Sequence, residues 1–218
     1  MSEISVRALT EDEWEQYRSV RLAALQESPE AFVATLEEEK QYDEEFWRTR
    51  MNRSRRLLAE VDGRAVGVAS VGQVEENPAV AELFGLWVEP ASRGAGVASQ
   101  LVQAGADTAR RDGKSHLAYW VGADNGRAVA FASGFGFRPT DTRRPMRVVS
   151  ADDGDEEIAM VLALGQSQIR SKYGVTIVGV KSPGQDFTYA QADTKVTAHH
   201  TLIVSGPTEL IERLASRP

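Results

Sequence analysis

Leu86-Trp-Val-Glu-Pro90, followed by Arg93-Gly-Ala-Gly-Val-Ala98, decides the fold, because an apolar strand ends at a proline and a glycine turn then opens a helix. Unpaired N–H groups at a helix start bind anions together with the helix dipole, and two glycines let a diphosphate approach the backbone. Close packing of a helix on a strand would explain the same glycines. The run lacks the Lys-Ser/Thr of a P-loop, which excludes ATP hydrolysis. It also lacks the third glycine of the fingerprint typical of dinucleotide-binding proteins.

Apolar periodicity on either side of this run predicts a mixed α/β (α+β) chain. Asp62-Gly63 joins two apolar runs and indicates a hairpin. The predicted strands are 5–9, 57–61, 66–74, 80–88, 116–121 and 158–164. The predicted helices run from the cap at Thr10 to about Leu25, over 36–51, from the glycine turn to about 111, and over 127–135. The strand–loop–helix–strand order around the glycine turn is suited to a parallel pair of strands.

Composition excludes several classes of protein. The 218 residues are 42% hydrophobic and 26% charged, as in globular proteins, and no apolar run is long enough for a membrane helix. The absence of cysteine removes disulfides and thiolate metal sites, and no metal site is expected. A net charge of −7 is unfavourable for binding nucleic acid. No signal peptide is recognisable, so a cytoplasmic protein is expected.

Negative charge is concentrated in residues 11–45, which hold twelve acidic and three basic residues. Two interpretations remain open. These charges form solvated helical faces, or they form an acidic rim that attracts a cationic amine.

Two motifs resemble signatures of the GNAT superfamily of N-acetyltransferases. Arg93-x-x-Gly-x-Ala98, after a strand that ends in Val-x-Pro, resembles its acetyl-CoA signature. Asn125-x-x-Ala128, with Gly136-Phe137 further on, resembles its second signature. The opening runs Arg21-Leu-Ala-Ala-Leu25 and Pro29-Glu-Ala-Phe32 resemble a bacterial subgroup. The resemblance implies the GNAT fold, which is a mixed central sheet with helices on both faces.

The same resemblance implies acetyl-CoA as co-substrate and assigns its contacts. The backbone amides that would cradle the pyrophosphate belong to Arg93, Gly94, Ala95, Gly96, Val97, Ala98 and Ser99. The strand backbone that would pair with the pantetheine arm belongs to Leu86, Trp87 and Val88. Asn125 would hydrogen-bond that arm. Helix capping is the alternative role for this asparagine, and the two roles are compatible.

Glu82 is the candidate general base. Alternation along the strand places it on one face with Phe84, Leu86 and Val88, and apolar neighbours raise the pKa of a carboxyl group. Members of the family often place a glutamate base on this strand. A structural ion pair is the alternative role.

The expected general acid is missing from the sequence. Many members of the family carry a tyrosine seven residues after the helix asparagine, and here that position is Ala132. Phe131 has no titratable group, and the Ser133 side chain points about 100° further around the helix. The acid for the departing thiolate therefore stays unassigned, and water is one source of the proton.

The last residues resemble a second family. Ile169 to Lys181 and Leu202 to Glu209 resemble the TrkA-C or RCK-C regulatory domain of potassium-uptake proteins, without its first strand. The expected domains are therefore 1–164, the acetyltransferase, and 165–218, a partial segment that forms a small α/β appendage. The resemblance implies a homodimer or a small ligand at this segment. The residue pattern of the segment predicts helices over 167–173 and 209–214, strands over 175–180 and 201–204, and a surface loop at His199-His200.

The sequence thus predicts an N-acetyltransferase that transfers an acetyl group from acetyl-CoA to a primary amine of a small molecule or protein, directly and in a ternary complex. The alternative is a catalytically weak acyl-CoA-binding sensor with a ligand-binding or dimerising tail. Ala132 and the tail favour that alternative.

Overall fold

The computed structural model describes residues 3–146, 155–164, 175–190, 196 and 199–215. The chain divides into two compact units, Met1–Leu162 and Ala163–Pro218. Within the described ranges, every helix is too short or too polar to cross a bilayer.

A seven-stranded mixed sheet organises the first unit, in the order β1-β2-β3-β4-β5-β7-β6. Strands β1 to β4 pair antiparallel, β4 pairs parallel with β5, and β6 pairs antiparallel with β7. The strands are β1 Ile4–Ala8, β2 Arg55–Val61, β3 Arg64–Gln73, β4 Val80–Val88, β5 His116–Gly122, β6 Arg138–Pro145 and β7 Glu156–Ala163. The mixed sheet and its parallel pair are confirmed, whereas β6 was not predicted.

Five helices accompany this sheet among the described residues. They are α1 Trp14–Glu27, α2 Leu36–Lys40, α3 Glu44–Arg53, α4 Val97–Arg111 and α5 Gly126–Phe135. The capping box predicted at Thr10 is present. The single helix predicted over 36–51 is wrong, because Asp43 begins a new helix there. Its Oδ1 atom accepts a hydrogen bond from the N–H of Phe46 at 2.9 Å.

Helices cover both faces of the sheet, as predicted. Helices α1 and α3 pack on one face, where the buried cluster consists of Tyr17, Val20, Ala24, Trp47, Met51, Leu58, Val68 and Trp87. Helix α4 covers the other face, and a Cβ atom on its Gly105 would lie 2.9 Å from Leu83 of β4. Strand β4 therefore lies between two packed layers, which fixes both of its faces.

A buried ion cluster joins the first three helices. Arg21 of α1 donates to both carboxylate oxygens of Glu39 of α2, at 2.9 to 3.2 Å. Arg50 of α3 lies 2.9 Å from the same carboxylate, whose side chain is only 1% exposed. Burial alone would raise the pKa of Glu39, but the hydrogen bonds and charge of Arg21, followed by those of Arg50, hold it below its ordinary value. The carboxylate therefore fixes the three helices relative to one another.

The second unit contains a three-stranded sheet in the order β10-β8-β9 and a helix. The elements are β8 Thr176–Lys181, β9 Thr188–Tyr189, β10 Thr201–Ser205 and α6 Thr208–Ala215. They confirm the strands predicted at 175–180 and 201–204 and the helix at 209–214. The helix predicted over 167–173 lies outside the described residues. His199 and His200 precede β10 without belonging to a strand.

We expect Glu39→Gln to lower the free energy of unfolding by about 3–5 kcal/mol at pH 7, because it leaves the buried guanidinium group of Arg21 and the half-buried one of Arg50 without their carboxylate. The stabilisation from Glu39 is complete above its unfolded-state pKa, near 4.3, and is lost as the pH falls through its lower folded-state pKa. The variant should therefore lose less stability on acidification than the parent. Urea titrations between pH 2 and pH 7 measure both effects.

Glu37→Gln on the same helix is the matched control, since among the described residues Glu37 forms one ion pair, an exposed one with Lys40. It should change stability by less than about 1 kcal/mol. Equal losses in the two variants would contradict the role assigned to Glu39.

Candidate functional site

Strands β4 and β5 separate partway along their length. They pair over only four positions, from Val80 with His116 to Leu83 with Tyr119. Beyond Leu83, the backbone of β4 continues to Val88 without a partner in β5. An exposed strand edge with unpaired N–H and C=O groups can accept another extended chain.

A β-bulge shifts the side chains of β4 at the same place. Gly85 adopts φ +61°, and the register with β3 shifts between Phe84, opposite Ser70, and Trp87, opposite Val68. The extra residue places Trp87 on the face of Glu82 and Phe84 and turns Val88 to the face of α4. The prediction that Val88 shares the face of Glu82 is therefore wrong.

A cavity of about 1280 Å³ lies where the two strands separate. The β4 and β5 residues that line it are Glu82, Leu83, Phe84, Gly85, Leu86, Tyr119 and Trp120. Residues of α1, α3 and the segment between them line another part, and residues of β3, β6 and β7 together with Glu75 line most of the remainder. The volume exceeds the roughly 300–1,000 Å³ of a typical small-molecule site, and polar side chains converge on it, so this cavity is the candidate site.

Glu82 faces this cavity, in charged surroundings. Arg144 Nη2 lies 3.9 Å from Glu82 Oε1, at the outer limit of an ion pair. Arg144 binds Glu157 more closely, at 2.7 Å, and its guanidinium lies 3.9 Å above the Trp120 ring. Glu82 therefore lies among charged as well as apolar side chains, and its own side chain remains 21% exposed. Both of its predicted roles, proton acceptor and ion-pair partner, are compatible with this position.

The glycine turn presents a row of backbone donors. Gly94 and Gly96 have φ of +79° and +91°, which L side chains rarely adopt. The N–H groups of Gly94, Ala95 and Gly96 donate no hydrogen bond to any described residue. Those of the first turn of α4 have no intrahelical acceptor. The turn therefore points uncompensated donors outward at the positive end of the helix dipole.

Arg93 is directed away from that row. Its amide donates to the Pro90 carbonyl at 3.2 Å, and its Nε donates to the Val88 carbonyl at 2.9 Å. Its Nη2 binds Glu27 at the end of α1 at 2.8 Å. The available amides of the predicted set therefore begin at Gly94, while the Arg93 side chain fastens the turn to α1.

Glu27 was missed at the sequence level. Its carboxylate accepts from the Ser28 hydroxyl and from the Trp87 indole N–H at 3.0 Å, and it pairs with Arg93. These hydrogen bonds, that of Ser28 first and that of Trp87 second, lower the pKa of Glu27. The sequence offers one local signal for Glu27, its position before Ser28-Pro29. Its other two partners, Trp87 and Arg93, lie more than 50 residues further along the chain.

Asn125 caps α5. Its Oδ1 accepts from the N–H of Ala128 at 3.0 Å. Its side-chain NH₂ group donates to no described residue, so it is available to a ligand. Helix capping, the alternative role, is therefore present. It leaves the NH₂ group available for the other predicted role, a hydrogen bond to the pantetheine arm.

Tyr119 is a second residue that the sequence did not single out. It lies opposite Leu83 at the last paired position of β5 and lines the cavity, with its ring edge-on to Phe137. Burial raises the pKa of the Tyr119 phenol above its ordinary value. Its hydroxyl makes no hydrogen bond with a described residue and is not sealed from solvent. Ala132, at the expected acid position, is 1% exposed.

The acidic stretch 11–45 does not surround the cavity. Of its twelve acidic residues, only Glu38 lines it. Several of the others form ion pairs: Asp12 and Glu44 with Arg48, Glu13 with Arg7, Glu37 with Lys40, and the buried Glu39 with Arg21. This distribution fits solvated and paired helical faces better than an acidic rim.

Residues 7–137 match the sequence profile of the acetyltransferase (GNAT) family. Two archaeal relatives are described as uncharacterized N-acetyltransferases. The one from Methanocaldococcus jannaschii is 29% identical over 86 residues, which are 37% of this chain and 38% of the relative. The one from Archaeoglobus fulgidus is 31% identical over 93 residues, or 41% and 60%. The chain thus spans less than two thirds of either relative.

Among solved structures, a putative acetyltransferase from Salmonella typhimurium with its cofactor acetyl-CoA superposes with a TM-score of 0.60. The match covers 75% of this chain and 95% of that one at 19% identity, so it supports the fold.

Proposed function

The chain belongs to the acetyltransferase (GNAT) family, and we propose that it transfers an acetyl group from acetyl-CoA to a primary amine of a small molecule or protein. One observation carries the proposal: the open edge of β4 lies beside the unpaired N–H groups that begin α4. This arrangement suits an extended chain that ends in a diphosphate, which is the shape of coenzyme A.

In this proposal the pyrophosphate binds the amides of Gly94 to Ser99 at the start of α4. The pantetheine arm adds to β4 beside Leu86 and Trp87, in the manner of an extra strand. The Val88 carbonyl already accepts from Arg93, so it is a weaker partner for the arm. The NH₂ group of Asn125, which follows β5 in the chain, donates a hydrogen bond to the pantetheine arm from the β5 side.

The chemistry is direct transfer in a ternary complex. The amine nitrogen forms a bond to the thioester carbonyl carbon, and the C–S bond then breaks. Glu82 accepts the proton that the amine loses, directly or through a water molecule. The Tyr119 phenol, which an ordinary tyrosine pKa near 10 already keeps protonated at neutral pH, donates the proton that the coenzyme A thiolate requires. An acceptor that arrives as an ammonium loses one proton to Glu82 before the attack and a second as the amide forms, and Glu82 passes each proton to solvent. Solvent then returns a proton to the Tyr119 phenolate.

The second unit is proposed to be a regulatory or dimerising segment of the TrkA-C or RCK-C kind. Its short sheet leaves Tyr189 and Ile203 exposed, which fits a surface that contacts a ligand or a second copy. The sensor alternative would bind acyl-CoA without turnover, so the assays below separate it from the enzyme.

We expect Ala95→Asp to weaken coenzyme A binding at least about tenfold, because it places a negative charge among the donors that meet the pyrophosphate. Ala95 is exposed and lies between the two glycines without sharing their positive φ, so folding should be unaffected. Ala95→Asn has the same shape without the charge and should bind more tightly than Ala95→Asp. Calorimetric titration measures both affinities. Unchanged affinity in the aspartate variant would remove the pyrophosphate from this turn.

Glu82→Gln should lower kcat/KM by about 100-fold at a pH well below the pKa of the acceptor amine, within the usual range for a general base. The loss should shrink as the pH approaches that pKa, because the amine then loses its proton unaided. Glu75→Gln, at the exposed rim of the same cavity, is the control. A loss that is equal at every pH would assign Glu82 a structural role.

Tyr119→Phe should lower kcat about 10- to 100-fold and leave coenzyme A affinity unchanged, because only the hydroxyl is removed and the ring still packs on Phe137. Ser133→Ala should have little effect. Rapid-quench measurement of the transfer step tests both variants. A large loss in Ser133→Ala, with Tyr119→Phe active, would place the acid on α5.

A further inference from the structure

The end of the cavity away from Glu82 is lined by guanidinium groups. Arg21 of α1 and Arg50 of α3 both line it, beside the Tyr17 ring and the Ser70 hydroxyl of β3. Arg56 of β2 lies directly beneath and is 4% exposed. Its guanidinium carbon is 5.0 Å from the centre of the Tyr17 ring.

The charges at this end do not balance among the described residues. Glu39 is the carboxylate that Arg21 and Arg50 share. Arg56 binds only neutral oxygens, namely Ser70 Oγ at 2.6 Å and the Arg50 carbonyl at 2.8 Å. Its Nε has no partner in the described part of the chain. Three guanidinium groups are therefore accompanied by one carboxylate, and that carboxylate pairs with only two of them.

Two other carboxylates line the cavity from this side, and neither compensates Arg56. Glu38 accepts the N–H of Thr35 at 3.0 Å, as the second half of a capping box. Glu75 is exposed to solvent between β3 and β4. A buried cation without a carboxylate is costly, so an excess positive charge that persists in a binding cavity indicates an anionic ligand.

We propose that this end of the cavity binds a carboxylate of the acceptor, so that the acceptor is an amino acid or another small amine that carries a carboxylate. The inference rests on the proposed acetyl transfer and specifies its substrate class. Arg50 and Arg21 supply the charge. Ser70, whose oxygen accepts from Arg56, donates its own proton to the carboxylate.

The dimensions suit a small bifunctional molecule. Ser70 is paired with Phe84, two residues along β4 from Glu82. Neighbouring strands lie about 4.8 Å apart and residues along a strand about 3.3 Å apart. A carboxylate at Ser70 and an amine near Glu82 are therefore separated by a few bonds. This acceptor class differs from the cationic one that the acidic stretch 11–45 suggested.

The test compares acceptors that differ only at the carboxylate. The twenty standard amino acids, their carboxamides and the corresponding decarboxylated amines are assayed for acetyl transfer with the full chain. Binding of the same compounds is measured calorimetrically in the presence of coenzyme A. We expect the best amino acid to exceed its carboxamide by about 10- to 100-fold in kcat/KM, the loss typical of a charged hydrogen-bond partner.

Arg50→Gln should reduce this acid-to-amide ratio about tenfold, and Arg50→Lys should retain part of it, since it keeps the charge but loses the planar fork. Arg48→Gln is the matched control, because Arg48 lies on the same helix outside the cavity and pairs with Glu44 and Asp12. Its ratio should equal that of the parent. The acid-to-amide ratio of the parent protein is measured without any substitution, so this part of the test does not depend on whether a variant folds.

A carboxamide or decarboxylated amine that equals or exceeds the amino acid would overturn the inference, as would an unchanged ratio in a folded Arg50→Gln protein. Transfer to amines without a carboxylate would sustain the proposed function while removing this acceptor class. Absence of all turnover would remove the proposed function. In that case, carboxylate-dependent binding would still support the anion site, and its absence would exclude it.

Discussion

The separation of β4 from β5 after Leu83 is the constraint on which the candidate site depends. Two parallel strands that stayed paired to their ends would fill the sheet and leave no edge for an extended ligand. The bulge at Gly85 coincides with the separation and turns Trp87 towards α1. The chain that continues from β4 then reaches the glycine turn and the start of α4, so one strand supplies the open edge and leads to the amides that we propose bind the pyrophosphate.

The second determinant of the candidate site is the group of charged side chains that joins α1, α2 and α3. Glu39 holds Arg21 and Arg50 in place, and these side chains line the cavity opposite Glu82 and Arg144. The Glu39 carboxylate therefore has a structural role, because it positions two arginines. It also has a chemical role, because one carboxylate cannot balance the charge of all the arginines at this end of the cavity. The cavity has a mixed end, with Arg144 between two carboxylates, and an end with excess positive charge.

Local signals in the sequence predicted much of the fold. Thr10 with Glu13, the Asp62-Gly63 hairpin and the limits of β4 depend on neighbours within a few residues, and the structure confirms them. Other features depend on contacts between distant residues. The side chains beyond the bulge, the Tyr119 hydroxyl at the last paired position and the Glu27 cluster depend on pairing that no local pattern specifies. Strand β6, rich in Arg, Thr and Pro, lacks the apolar alternation by which strands are recognised.

Helix α1 connects the two halves of the site mechanically. It carries Arg21 at the positive end of the cavity and Glu27 at the clamp on the glycine turn. Glu27 lies six residues after Arg21, which corresponds to about 9 Å along the helix axis. Because α1 is rigid, a displacement of the turn is transmitted to the guanidinium of Arg21, and a displacement of Arg21 is transmitted to the turn. One ligand at the glycine turn and another at Arg21, if each moves this helix, would then alter each other's affinity by the same factor. Helix α1 would in that case couple the two binding positions.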